Sequence, residues 1–429
     1  MLWQKENPVA HYLNVAMEKS NFERKEKARK LLDFYNDQQL AYVYDRLKRH
    51  FTDPDKFSLA SLNITKKIID GLAVVYIEDA RRTLANEQDQ NIFEKIKYES
   101  NLGLKMKTVN RLSKLTGTVL LKIVYRNNRI ELDIITPDIC DVETGESPED
   151  IQAVTVTYYP ESGKGNEVIH SKWTRETIYR LDYNKRIVSY VANPYDIIPF
   201  VPVWDSLPIS EFWIEKGDSL LSVQEAINEK LTDLLYILRL QGFSVPVTKG
   251  SSAEIGILDP GQALNLPSDA DFTFQAPNSP IKTTLETIDF LIRNTAISYG
   301  LPASYLSSKP SERKSGLSRL IENKELAEKR QDDIALFRKY ENSVFNTIRT
   351  VWNWHNPTSR ISNDAFLKVE FAEPKNVNLN EQAQSWNLLM EKSVISPVDC
   401  IMKMNPELTK QEAEKIYEYN KKFNSSDQT

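Results

Sequence analysis

Apolar positions recur every three to four residues through the first hundred positions, the spacing that lines one face of a helix. Two stretches show it, NFERKEKARKLLDFYNDQQLAYVYDRLKRH (21–50) and LASLNITKKIIDGLAVVYIEDARRTL (59–84). In the second, Ile64, Ile68, Leu72 and Val75 mark one face. A further helix over about 101–116 is predicted to stop at Gly117, because glycine accepts the left-handed conformation that closes a helix.

From there the period changes to two. TVLLKIVYRNNRIELDIITP (118–137) reads as two strands around Asn127-Asn128, a good pair for a tight turn. AVTVTYYP (153–160), ETIYRLDY (176–183), RIVSYVANP (186–194) and IPFVPVWD (198–205) continue the pattern, with Gly163-Lys164-Gly165 as a hairpin turn. Residues 118–205 are therefore predicted as one antiparallel β-rich unit packed on the N-terminal helices, an α+β arrangement that is mainly helical over the whole chain.

Helical spacing returns at 218–241, where Leu220, Val223, Ile227, Leu231, Leu234 and Leu238 share a face; Asp218 or Ser219 can cap the start and Gly242 the end. Residues 243–280 hold most of the local proline and glycine with short strand-like runs, and 281–299 is helical again through Ile281, Leu285, Ile288, Ile292 and Ala296. The simplest geometry is an antiparallel helical hairpin with a small α/β knob at its tip. Leu221, Leu235, Ile237, Leu240, Phe290 and Leu291 lie off the main faces, which suggests packing against neighbouring chains. The stretch YGLPASYLSSKPSERKSGLSRL (299–320) breaks the pattern at Gly300 and Pro302, and a long helix resumes over 317–354. Its middle, ENKELAEKRQDD (322–333), is polar and is expected to be a solvated face. Its end is amphipathic through Phe337, Tyr340, Val344, Ile348 and Trp352. AFLKVEFAEP (365–374) reads as a strand. The tail reads as three short helices, with Ser396-Pro397 a cap followed by proline at the first helical position and Thr409-x-x-Glu412 a capping box.

Composition changes this picture little. At 429 residues, 41% hydrophobic and 27% charged, the chain is that of an ordinary folded protein. Its formal net charge of -5 argues against a globally basic nucleic-acid binder and leaves room for a local site. Cys140 and Cys400 are expected to be reduced thiols in a soluble, intracellular chain, and no window is apolar for long enough to span a membrane. His11, His50, His170 and His355 lack the spacing of a zinc site, and the phosphate-binding and nucleophile-elbow motifs are missing. Asp53/Asp55 and Asp269/Asp271 sit in loop-like sequence and read as turn-formers. No catalytic residue, metal or cofactor is expected.

Five pieces in one order resemble the portal proteins of tailed double-stranded DNA bacteriophages, of the type found in siphophages and prophages of Gram-positive hosts. They are LNITKKIIDGLAVVY (62–76), TGTVLLKIVY with IELDIITPDICDV (116–142), GDSLLSVQEAINEKLTDLLYILRLQGFSVPVTKG (217–250), ISYGLPASYLSSKPSERKSGLSRLIENKELAEK (297–329) and VISPVDCIMKMNPELTKQEAEKIYEY (394–419). The resemblance implies a portal fold: an outer wing (1–215 and 317–377), a stem of two helices (216–242 and 281–299), a clip (243–280), a tunnel loop (300–316) and a crown (378–429). It implies a ring of about twelve copies around a channel for double-stranded DNA, closed by the symmetry of repeated head-to-tail contacts. Implied partners are the terminase large subunit, the head-tail adaptor, and the major capsid and scaffolding proteins, with assembly in the host cytoplasm and residence at one virion vertex. The tunnel-loop residues Ser307, Ser308, Lys309, Glu312, Arg313 and Lys314 would face DNA. The clip residues Lys249, Ser251, Ser252, Glu254, Asp259, Asp269 and Asp271 would contact the motor or adaptor. The loop departs from the family pattern, which is less basic or partly apolar. Lysine and arginine there would touch phosphate without reading sequence. The competing readings are a low-order scaffold or adaptor and, further off, a hydrolase with a site in the β-rich middle.

Overall fold

The computed structural model describes residues 8–160, 167–242, 245–249, 271–275, 281–306, 324–372, 379–405 and 409–426. The chain is mixed helix and sheet, and it divides into two units, one covering residues up to 314 with 318–372 and the other beginning at Glu373.

The larger unit starts with helices α1 (Pro8–Tyr35), α2 (Leu40–His50) and α3 (Ile64–Leu72). The first helical stretch breaks at Asp37, which takes φ 66°. The second is shorter than its periodicity suggests, because α3 ends at Leu72 and the chain runs on to a strand, β1 (Arg81–Thr83). Ile64, Ile68 and Val75 are buried as expected, while Leu72 is half-buried. Helices α4 (Glu87–Ser100) and α5 (Leu102–Thr116) follow, each opened or closed by asparagine or glycine. Gly117 closes α5 at φ 83°, and a Cβ there would lie 1.8 Å from the Ile214 carbonyl oxygen, so no other residue fits.

Strands β2 (Thr118–Arg126) and β3 (Arg129–Ile135) pair antiparallel through Asn127 and Asn128, both at positive φ, as the mirror-image turn requires. The β-rich region is built from two sheets. β9 (Phe200–Trp204) joins the other edge of β2 in the sheet β3-β2-β9, while β4 (Cys140–Thr144), β5 (Ile151–Tyr158), β6 (Ile169–Thr174), β7 (Thr177–Leu181) and β8 (Ile187–Ala192) form a separate meander. Gly163-Lys164-Gly165 lies outside the described residues, and the strands it joins, β5 and β6, pair antiparallel. One apolar core runs from Phe93, Met106 and Val109 through Leu121, Ile123, Val154 and Val203 to Phe337, Val344 and Ile348.

Helix α6 (Asp218–Gly242), strands β10 (Val245–Lys249) and β11 (Asp271–Gln275), and helix α7 (Ile281–Ser298) come next. Helix α8 (Lys324–His355) then presents Phe337, Tyr340, Val344, Ile348 and Trp352 to the core, all buried, which is the face its period predicted. Its polar middle is not simply solvated. Arg330 and Asp333 are buried there; Arg330 donates to the carbonyls of Val74 and Ala372, and Asp333 accepts from Lys114. Within the described part of the expected strand, residues 365–372, β12 (Lys368–Glu370) forms and pairs with β1.

Among the cationic side chains buried in this unit are Arg82 and Lys122. The Arg82 guanidinium donates to both Glu341 carboxylate oxygens at 2.9 and 2.7 Å, and Tyr76 Oη donates to the same carboxylate at 2.6 Å. Lys122, on β2, reaches between the two sheets: its amine lies 3.1 Å from Tyr158 Oη, over the rings of Trp173 and Phe200. Burial there lowers its pKa to about 8.

The C-terminal unit contains α9 (Leu379–Glu391), α10 (Pro397–Met404) and α11 (Lys410–Ser426). Ser396 and Asp399 form a reciprocal capping box at α10, and Thr409 with Glu412 does the same at α11. Each carboxyl is held below its ordinary pKa by the bonds it accepts from the capping residue. Cys140 and Cys400, one in each unit, are free and buried.

Candidate functional site: the helical hairpin and its flanking break

Helix α6 is 25 residues long, a rod of about 38 Å at 1.5 Å per residue. Ser219 Oγ, in its first turn, lies 3.2 Å from Tyr299 Oη just past the end of α7. The start of one helix therefore meets the end of the other, which makes the pair antiparallel. β10 and β11 pair antiparallel at the far end, with Lys249 opposite Asp271 in register.

What anchors the hairpin is polar. Gln224, Asn228 and Thr232 stand at i, i+4 and i+8 on α6 and are buried. Gln224 Oε1 accepts from the backbone N–H of Ile64 and Thr65, Asn228 Oδ1 from Leu62, and Thr232 Oγ1 from Ala60. These side chains stand in for a strand or a cap and satisfy a backbone segment that would otherwise be buried unbonded. The apolar face beside them buries Leu220 and Ile227 with Ile288 and Ala296 of α7.

The base of α6 is clasped by charge. Lys114 of α5 lies 2.7 Å from both Asp205 and Asp333, and Lys216, two residues before α6, also pairs with Asp205. At the end of α7, Gly300 takes φ 78° and turns the chain, as its position in the sequence suggests. Leu301 is buried, and Tyr305 packs on α3: its hydroxyl donates to the Lys67 carbonyl at 3.3 Å and its ring covers Gly71. On the other side of the break, Lys329 of α8 donates to the Tyr299 carbonyl at 3.1 Å. The helix stop is thus fixed by packing at both of its described ends.

No family model matches the chain, and no curated protein matches it in sequence. Solved structures do match. The virion of a native gene transfer agent particle aligns with 80% of this chain and 89% of its own at 12% identity and a TM-score of 0.45. The neck of the native particle, computed with C12 symmetry, gives the same four values. The neck of the empty particle, computed with C6 symmetry, aligns over 79% and 88% at 13% identity and a TM-score of 0.39. Likeness at this level carries no argument, and the functional reading rests on this chain's own residues.

Of the residues singled out from sequence, Ser307, Ser308, Lys309, Glu312, Arg313 and Lys314 lie outside the described residues, as do Ser251, Ser252, Glu254, Asp259 and Asp269. Lys249 and Asp271 are brought together on the paired strands of the tip. Several apolar residues of the hairpin remain exposed: Leu235 and Leu238 on α6, and Leu285, Phe290 and Ile297 on α7. Leu238 and Leu285 belong to the faces expected to be buried within the hairpin, so those faces are only partly used inside one chain. Sequence reasoning missed the Gln224–Asn228–Thr232 ladder, whose signal is a polar stripe at helical spacing inside an otherwise apolar helix. Among the described residues no cluster of His, Cys, Asp or Glu could hold a metal, and no helix is long and apolar enough to cross a membrane.

Proposed function

We propose that the chain is a phage portal protein: a ring-forming conduit at one vertex of a virion, through which double-stranded DNA enters and leaves. The observation that carries the reading is the antiparallel hairpin with a two-stranded tip whose Leu235, Leu285 and Phe290 are left uncovered within one chain. Repetition of the chain around a closed ring would bury them against the neighbouring hairpin. In this reading α6 and α7 are the stem, residues 243–280 the clip, 300–316 the tunnel loop and the C-terminal helices the crown. The unit with the two sheets is the wing. The chain performs no chemistry; a separate motor supplies the force, docking with the clip before a head-tail adaptor replaces it. Lys309, Arg313 and Lys314 would brake the DNA through its phosphates, with no preference for sequence. Imaging of the purified protein in negative stain tests the reading: rings with a central hole are expected, and isolated single chains would contradict it.

A further inference from the structure

The meander sheet ends at β8, and this edge differs from the rest of the molecule. All six residues of Ile187–Ala192 are exposed, with Ile187 at 61%, Val188 at 64%, Tyr190 at 71% and Val191 at 60%. Successive residues along a strand point to opposite sides, so both faces of β8 are open. Among the described residues no strand pairs with its outer edge, which leaves a row of backbone donors and acceptors beside four large apolar side chains. Proteins commonly protect such an edge with lysine, proline or a bulge. The sequence IVSYVA has no charge and no proline; its one irregularity lies at the turn end, where Val188 has no partner between the Arg180–Ser189 and Leu181–Ile187 pairs, and Ser189–Ala192 stay in regular register with β7. The sheet beside the edge is hollowed, with Tyr158, Ile169, Ile178 and Val191 lining the depression and Arg180 at its side.

Charge narrows the occupant. The β7–β8 hairpin carries Arg180, Lys185 and Arg186 against one carboxylate, Asp182, whose Oδ1 accepts the backbone N–H groups of Asn184 and Arg186 in the turn. No ion pair engages those three cations among the described residues. We propose that β8 is a docking edge for an extended, apolar segment of a partner protein flanked by acidic residues, which adds to the sheet as a further strand. Backbone hydrogen bonds would supply affinity, and alternate side chains and the basic turn would supply selectivity. A second copy fits less well, because pairing β8 with β8 brings together two hairpins of the same sign.

The test uses the full-length protein and a fluorescein-labelled peptide of alternating Val and Thr flanked by Glu, read by fluorescence anisotropy. A second peptide carries Lys flanks, and a third is N-methylated at alternate Val. Binding of the Glu-flanked peptide is expected to weaken by about tenfold in Val188→Asn/Val191→Asn and again in Lys185→Gln/Arg186→Gln, with the other two peptides binding poorly. Both variants alter exposed side chains, and an unchanged melting temperature will show that the fold is intact. Absent binding, equal binding of the Lys-flanked peptide, or indifference to the variants overturns the proposal. So does a change in the mass of the free protein in Val188→Asn/Val191→Asn, which would assign the edge to a second copy.

Discussion

Lys122 shows how far a single side chain departs from what sequence pattern can convey. It sits on β2 among apolar residues, and alternation would place it on a wet face; instead its amine is enclosed by Tyr158, Trp173 and Phe200. Its folded pKa of about 8 lies below the ordinary 10.5. Between these values the unfolded chain binds the extra proton, so stability rises with pH across that window, and the penalty is complete below it. Lys122→Met is expected to raise stability at neutral pH by about 1–3 kcal/mol. The variant should also flatten the rise between pH 8 and 10.5, as urea unfolding at several pH values will show. Gly117 and Gly300 give a second contrast, since both have positive φ but differ in what surrounds them. A Cβ at Gly117 meets backbone, whereas one at Gly300 meets the movable ends of Lys329 and Glu325. Gly300→Ala should cost about 1 kcal/mol, the strain of a left-handed alanine alone. Gly117→Ala should cost more than that and lower the melting temperature further; equal losses would contradict the packing described here.

Among elements, those whose period is undisturbed were legible. Phe337, Tyr340, Val344, Ile348 and Trp352 repeat cleanly and are buried together, and Asn127-Asn128 turns where it should. The division of residues 118–205 into two sheets was not legible, because alternation tells which face a residue is on and not which strand it pairs with. Nor was the burial of Arg330 and Asp333, since a charge in sequence does not display its distant partner. The hairpin's two helices and the glycine break were legible from spacing and turn chemistry; the side chains that anchor them, Gln224 and Asn228, were not. The Arg82–Glu341 pair belongs to the same class, joining β1 to α8 across most of the chain. Removing one member leaves a buried charge, so Arg82→Met should cost about 3–5 kcal/mol. Arg82→Met/Glu341→Leu should recover most of the loss. Thermal denaturation of both single variants and the double variant checks this, and additive losses would contradict it.

At the scale of the whole molecule, the account depends on how the exposed hairpin is covered. Leu235, Leu285 and Phe290 are apolar positions that one chain leaves open, and in the proposed ring Lys309, Arg313 and Lys314 would face DNA. Replacing those three residues with Ala should leave assembly intact and reduce retention of packaged DNA, measured by nuclease protection of filled particles. Unchanged retention would remove the loop from the account. The most direct measurement is the mass of the purified full-length protein across a concentration series. The account predicts a discrete closed species of about twelve or thirteen chains, each of 49.5 kDa. A monomer at every concentration would contradict it.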